Sequence, residues 1–510
     1  MQLILSAGSI LAIVLWGLLS PTSLSAVFDQ ALAFITHDFG WLYLWVVLAL
    51  VILTVYLAFS RYGNMKLGKE DDEPEFSVPA WFAMLFAAGM GIGLVFWGVA
   101  EPISHYGTAP PGYLANTPAA ANAAMRYSFF HWGLHPWAVY SIVALAIAFF
   151  QFRRGQPALV STSIEALPWK LAKKSAVVVN VLAVIATAFG VAASLGIGAL
   201  QINSGLSAIF GLPVSDTSQV AIIAITTALF ITSAVTGVER GIKWLSSINL
   251  ILAALLALAV FIVGPTVAII NTFTNTLGSY LSEFVNMSLR MTPFSEGNWV
   301  GGWTIFYWAW WVSWSPFVGL FIARVSRGRT IREFIIGTVL APTLAAFVWF
   351  SVFGGTALYL EIWQNVPLTE AVKADVSTAL FTMFNALPFG TLMSGVATVL
   401  VMVFFVTSGD SATLVLGMMS TGGNPNPPNK VKVMWGVLVA GIAISLLLAG
   451  GLKAVQTATI VFALPFTIVI MLMAYSLWRA IREDWLVEQK QEKLLRQKMR
   501  AMTTPPSAAS

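Results

Sequence analysis

The sequence predicts an all-α integral membrane protein of about twelve transmembrane helices, and three observations carry that prediction. Apolar runs of about 20 residues, the length that crosses a hydrocarbon layer, recur along the chain. Apolar residues make up 58% of the 510 and charged residues 10%, more apolar surface than one soluble core can hide. The cations fall in short segments between the runs, as they do in the cytoplasmic loops of membrane proteins.

The first run, 3–19, lacks the basic leader of a signal peptide and opens a series of similar runs, so it reads as a span. Runs 41–60, 78–100, 127–150, 177–210 and 219–238 complete the first half. The third contains Ala87-Ala-Gly-Met90-Gly91-Ile-Gly93. Its alternating glycines cost roughly 1 kcal/mol each against Ala in a helix and free backbone groups to face a ligand; close packing of small residues is the alternative. The fourth carries Trp132, Trp137 and Tyr140. Trp132 and Trp137 diverge by about 140° on an ideal helix, although Gly133 and Pro136 can bend it.

The second half gives runs 245–270, 304–323, 334–360, 392–419, 433–450 and 454–478. Five of the 20 Trp lie between Trp303 and Trp314, where Trp308, Trp311 and Trp314 step by three and Trp310 and Trp314 by four, before Pro316 interrupts the run. The tenth run places Thr407 and Ser408 side by side after Phe404. Hydroxyl and carbonyl oxygens without a carboxylate suit a weakly held monovalent cation. Segments 272–300 and 360–389, between runs, have helical apolar spacing and read as interfacial helices on the outer surface. With both termini cytoplasmic, 23 of the 27 Lys and Arg fall on the cytoplasmic side.

Asp410 is the one charged side chain within the twelve runs, and Arg324 is its expected partner. A path so poor in charge suits a neutral or zwitterionic solute. Several Trp and Tyr faces without a carboxylate form a cage for a quaternary ammonium. The basic residues form no nucleic-acid face, Cys is absent, and no P-loop, metal-ligand cluster or nucleophile with a base appears, which argues against an enzyme or an ATP-driven pump. His131 and His135 read as helix contacts or hydrogen bonds. A sodium-coupled carrier and a passive channel or facilitator remain as functional classes; the channel needs no paired hydroxyls at Thr407 and Ser408.

Gly89-Met-Gly-Ile-Gly93 with Trp97 and Glu101-Pro102, the run Phe306-Tyr-Trp-Ala-Trp-Trp311, Ser313-Trp-Ser-Pro-Phe317 and Ala323-Arg-Val-Ser-Arg-Gly-Arg-Thr330 closely resemble the betaine/choline/carnitine transporter family. The resemblance implies the inverted five-helix repeat of sodium/amino-acid symporters plus two N-terminal helices. The expected division is 1–77 (N-terminal helices and loop), 78–270 (first repeat), 271–303 (outer helix), 304–478 (second repeat) and 479–510 (cytoplasmic tail). It implies a homotrimer in the cytoplasmic membrane that imports a betaine-like zwitterion with Na⁺; choline and carnitine are the alternatives within the family. The implied aromatic box is Trp132, Trp137, Tyr140 and Trp311, with Trp308, Trp310 and Trp314 along the path and Met90 and Gly91 at the opened helix. The implied sodium site is Ala87, Met90, Phe404, Thr407 and Ser408. A second sodium site would use Thr187, but Val191 stands where its partner Thr is expected. Choline members carry Asp at the position of Gly93.

Overall fold

The computed structural model describes residues 1–89, 91–167, 170–236, 239–294 and 297–503. Among them every regular element is a helix, apart from an isolated bridge between Lys66 and Thr330. Among the described residues, nine helices are long and apolar enough to cross a membrane, or ten if one bent pair counts as a span. The protein is thus an all-helical membrane protein.

The N-terminal helices are α1 (Gln2–Leu19), α2 (Pro21–Asp38) and α3 (Gly40–Phe59). Helix α2 has no counterpart among the expected runs, because Asp29, His37 and Asp38 break its apolar pattern. Pro21 starts it at the first helical position, where no N–H is needed. Phe28 then meets Phe462 edge-on at 5.8 Å, and Asp29 pairs with Lys453 at 3.4 Å.

The third run is divided into α4 (Val78–Gly89) and α5 (Ile92–Gly107), with Gly91 extended at the break. The fourth divides at Gly133 into α6 (Pro118–Trp132) and α7 (Leu134–Ala148). Pro136 sits in the first turn of α7, where its missing N–H costs no helical bond. A Cβ on Gly133 would lie 2.5 Å from Phe129 O, so the chain passes closer there than any side chain permits.

Next come α8 (Lys170–Phe210), α9 (Asp216–Thr236), α10 (Glu239–Val263) and α11 (Thr266–Ser282), followed by the short α12 (Phe284–Ser288). The seventh run does not continue to Ile270. It turns by 110° into α11 across Gly264 and Pro265, because Pro has no N–H with which to continue the helix.

Helix α13 (Phe306–Arg324) follows a π-helical turn at Gly301–Ile305. Pro316 does not interrupt it, contrary to the sequence reading. Pro316 cannot donate to Val312 O, and the Ser315 hydroxyl donates to that carbonyl instead, at 2.7 Å. Helix α14 (Ile331–Gln364) begins with a capping box between Thr330 and Glu333 and ends at left-handed Asn365. Short helices α15 (Leu368–Ala374) and α16 (Ala379–Asn385) precede α17 (Gly390–Ser420). Each turns one face to the bundle, where Leu368 and Phe384 are fully buried, and leaves Glu370, Lys373 and Asn385 exposed on the other. Helix α18 (Asn429–Thr503) is kinked at Gly450 and Gly451, the latter in the left-handed region at φ 61°, and so joins the eleventh and twelfth runs.

Candidate substrate and ion site

The aromatic wall of the site comes from three helices. On α13, Tyr307, Trp310, Trp311 and Trp314 follow at steps of three and four and share a face. The Trp310 and Trp311 rings stack at 5.0 Å, and Tyr307 stacks on Trp311 at 5.8 Å. Helix α6 ends on Trp132, edge-on to Trp311 at 4.9 Å; α7 brings Tyr140 edge-on to the same ring at 6.1 Å. Hydrogen bonds orient these rings: Trp311 Nε1 donates to His131 O at 3.0 Å and Trp314 Nε1 to Gly190 O at 2.6 Å.

Glycine makes the approach possible. A Cβ on Gly93 would come within 2.6 Å of Trp310 and 3.1 Å of Trp132. An Asp there would push directly into the rings.

A second wall comes from Phe404, Thr407 and Ser408 on α17, and a third from Gly91 and Gly93 at the opened helix; with Ser194 and Asn249 they surround a cavity of about 100 Å³. Among the described residues, no charged side chain lines it. The Thr407 hydroxyl donates to Val403 O at 2.9 Å, which satisfies its proton and leaves oxygen lone pairs for a cation.

Trp132, Tyr140, Trp310, Trp311, Trp314, Gly91, Phe404, Thr407 and Ser408 therefore border one space. Trp308 does not: it stacks on His135 at 5.2 Å. Trp137 packs edge-on against Tyr140 at 5.5 Å, behind the lining. Thr187 is fully buried, its hydroxyl unpartnered and outside the cavity lining. Ala87 lies in the last turn of α4, its side chain outside what is described, and Met90 lies outside the described residues.

Sequence reasoning missed two residues. Asn249, fully buried, has no protein partner for its amide and lines the cavity; its signal was a lone carboxamide inside an apolar run. Glu101 fell one residue past the third run, yet α5 carries it on to full burial. Asp410 is thus not the sole carboxylate inside the helices. The expectation that no metal-ligand cluster occurs is also corrected, since ligand atoms of Glu101, His105 and His131 lie within 4.8 Å of one another. Asp410 makes no ion pair with Arg324; Ser233 and Lys432 face it.

The last stretch of α18 is held by arginines that follow α7. Arg154 pairs with Asp484 at 2.7 Å and Glu483 at 3.3 Å, Arg153 with Glu488, and Arg61 lies over the Trp485 ring at 4.2 Å.

The sequence signature described as betaine/carnitine/choline family transporter matches residues 2–486. The glycine betaine transporter OpuD of Bacillus subtilis is 50% identical over 95% of this chain and 94% of its own. The ectoine/hydroxyectoine transporter of Virgibacillus pantothenticus is 46% identical over 93% of this chain and 95% of its own. The betaine/ectoine transporter LcoP of Corynebacterium glutamicum is 40% identical over 94% of this chain and 77% of its own.

Proposed function

The chain belongs to the betaine/carnitine/choline transporter family, which makes it a multi-pass secondary transporter and not an enzyme, and from that premise we propose that it imports glycine betaine or an ectoine-type compatible solute together with Na⁺. The observation that carries the reading is the convergence of an aromatic wall and a hydroxyl wall on one uncharged cavity. The quaternary ammonium lies against Trp132, Tyr140 and Trp311, whose π faces attract a cation too bulky to hydrogen-bond. The opened helix at Gly91 offers amides to the carboxylate. Thr407 and Ser408, with the Phe404 carbonyl and the end of α4, hold the sodium ion. Joint occupancy of one cavity gives the coupling free energy that links the two gradients.

The architecture we propose has twelve spans, with α4–α5 and the two arms of α18 counted, arranged as two five-helix repeats over 78–270 and 304–478. The packing supports it: α5 packs on α14 and α13 on α7, two contacts that exchange when the repeats are swapped. Cytoplasmic termini are supported by the gathering of cationic loops at one end, where Arg153 Nη1 donates to Lys66 O and Arg327 pairs with Asp72. A homotrimer follows from the resemblance.

The test is uptake of radiolabelled glycine betaine into proteoliposomes, with ectoine, choline and carnitine as competitors. Uphill uptake driven by an inward Na⁺ gradient is expected. Equal uptake in sodium and potassium media refutes the coupling, and downhill-only flux establishes a facilitator.

A further inference from the structure

Behind the Trp132 indole, one ring removed from the cavity, Glu101 sits at zero exposure with both carboxylate oxygens engaged. Its Oε2 accepts from Trp132 Nε1 at 2.8 Å and from the Tyr307 hydroxyl at 2.5 Å. Its Oε1 is faced by His131 Nδ1 at 2.7 Å and His105 Nε2 at 3.2 Å. The other His131 nitrogen is fixed by the Thr304 hydroxyl at 3.0 Å. One side chain on α5 thereby ties together α6, which ends on Trp132, and α13, which carries Tyr307 and the stacked tryptophans.

We propose that Glu101 is a positioning residue of the aromatic cage: it fixes the plane of Trp132 and, as a charge behind that indole, strengthens the hold of the ring on a quaternary ammonium in front of it. The inference rests on the substrate reading above. The backbone alone does not set this ring, because α6 stops at Trp132 and the next residue, Gly133, leaves helical geometry at φ −90°, ψ −134°. An N–H that donates to a carboxylate makes a short, strong bond, and it returns electron density to the ring whose face meets the cation. In a dry interior a carboxylate one ring away also attracts that cation directly. Among the described residues the cavity wall holds no carboxylate, so a zwitterion's own carboxylate meets no repulsion there.

A metal ion is the competing account of Glu101, His105 and His131. The geometry disfavours it: Oε1 and His131 Nδ1 are 2.7 Å apart, whereas two ligands on one tetrahedral zinc lie about 3.3 Å apart. The four donors already satisfy the carboxylate.

The experiment compares Glu101→Gln with wild type in proteoliposomes, using glycine betaine and its uncharged-head isostere 3,3-dimethylbutanoate as a competitor. Gln keeps an oxygen for Trp132 and removes the charge. The expected result is a KM for betaine raised roughly three- to tenfold, while the inhibition constant of the isostere and the half-saturating sodium concentration stay within about twofold. Tyr307→Phe, which keeps the ring and removes one donor from Oε2, is expected to give a smaller shift with the same selectivity, and it carries the test if Glu101→Gln fails to reach the membrane. An unchanged betaine KM, an equal shift for betaine and the isostere, or one equivalent of tightly bound zinc in the purified wild type overturns the proposal. Absence of betaine uptake by the wild type refutes the substrate reading itself, and this inference with it.

Discussion

Replacing Trp311 by Leu removes the ring on which the cage converges. Trp311 is 6% exposed, stacked on Trp310 and met edge-on by Trp132 and Tyr140. Loss of one desolvated aromatic face costs about 1 to 2 kcal/mol of cation binding. At about 1.4 kcal/mol per decade that predicts a KM for glycine betaine roughly five- to thirtyfold higher. Leu also loses the hydrogen bond to His131 O. That bond contributes about 1 kcal/mol to stability rather than to affinity, because its acceptor is helix backbone and not substrate. Trp311→Phe separates the two effects, since it keeps a ring and loses the same N–H. Its KM should rise less than that of the Leu variant, while its melting temperature falls by a similar amount. The assay is initial-rate uptake of radiolabelled betaine over a concentration series, normalised to reconstituted protein. A Leu variant that is expressed normally and keeps its KM within about twofold refutes the cage assignment.

Thr407→Ala combined with Ser408→Ala should raise the half-saturating sodium concentration by roughly tenfold or more, read from uptake at fixed betaine; unchanged sodium dependence removes α17 from the ion site. Gly93→Ala forces a methyl within 2.6 Å of Trp310, and this overpacking, about 1 to 3 kcal/mol, should lower betaine affinity with little change for sodium; wild-type kinetics would show that the rings yield freely. Deleting 489–510 removes the mixed-charge end of α18 but keeps the Arg153 and Arg154 contacts to Asp484 and Glu488. It should change how uptake responds to osmolality while leaving KM nearly intact, because tail contacts with charged surfaces weaken as salt rises; an identical osmolality profile refutes a sensing role.

What the sequence determined by itself was local or additive. A bilayer is a nearly uniform solvent, so the length and polarity of each run report on it without knowledge of neighbours; the runs, the loop cations and the family motifs followed. The break at Gly91 and the bend at Gly133 were legible because glycine and proline act on their own backbone. Even so, local rules erred where a side chain could compensate, as Ser315 does for Pro316. They also missed α2, whose charges hide its helical pattern until the last helix packs against it. Only the tertiary structure decided which aromatic faces border the cavity. Each residue turns a helix by about 100°, so Trp308 and Trp310, two apart, face different neighbours, and spacing alone leaves that phase undetermined. The burial of Glu101 beneath Tyr307, 206 residues along the chain, and the placing of Ser233 and Lys432 rather than Arg324 beside Asp410 were settled by how the helices pack. A carboxylate's environment is the sum of what other helices bring to it, and no run of sequence contains that sum.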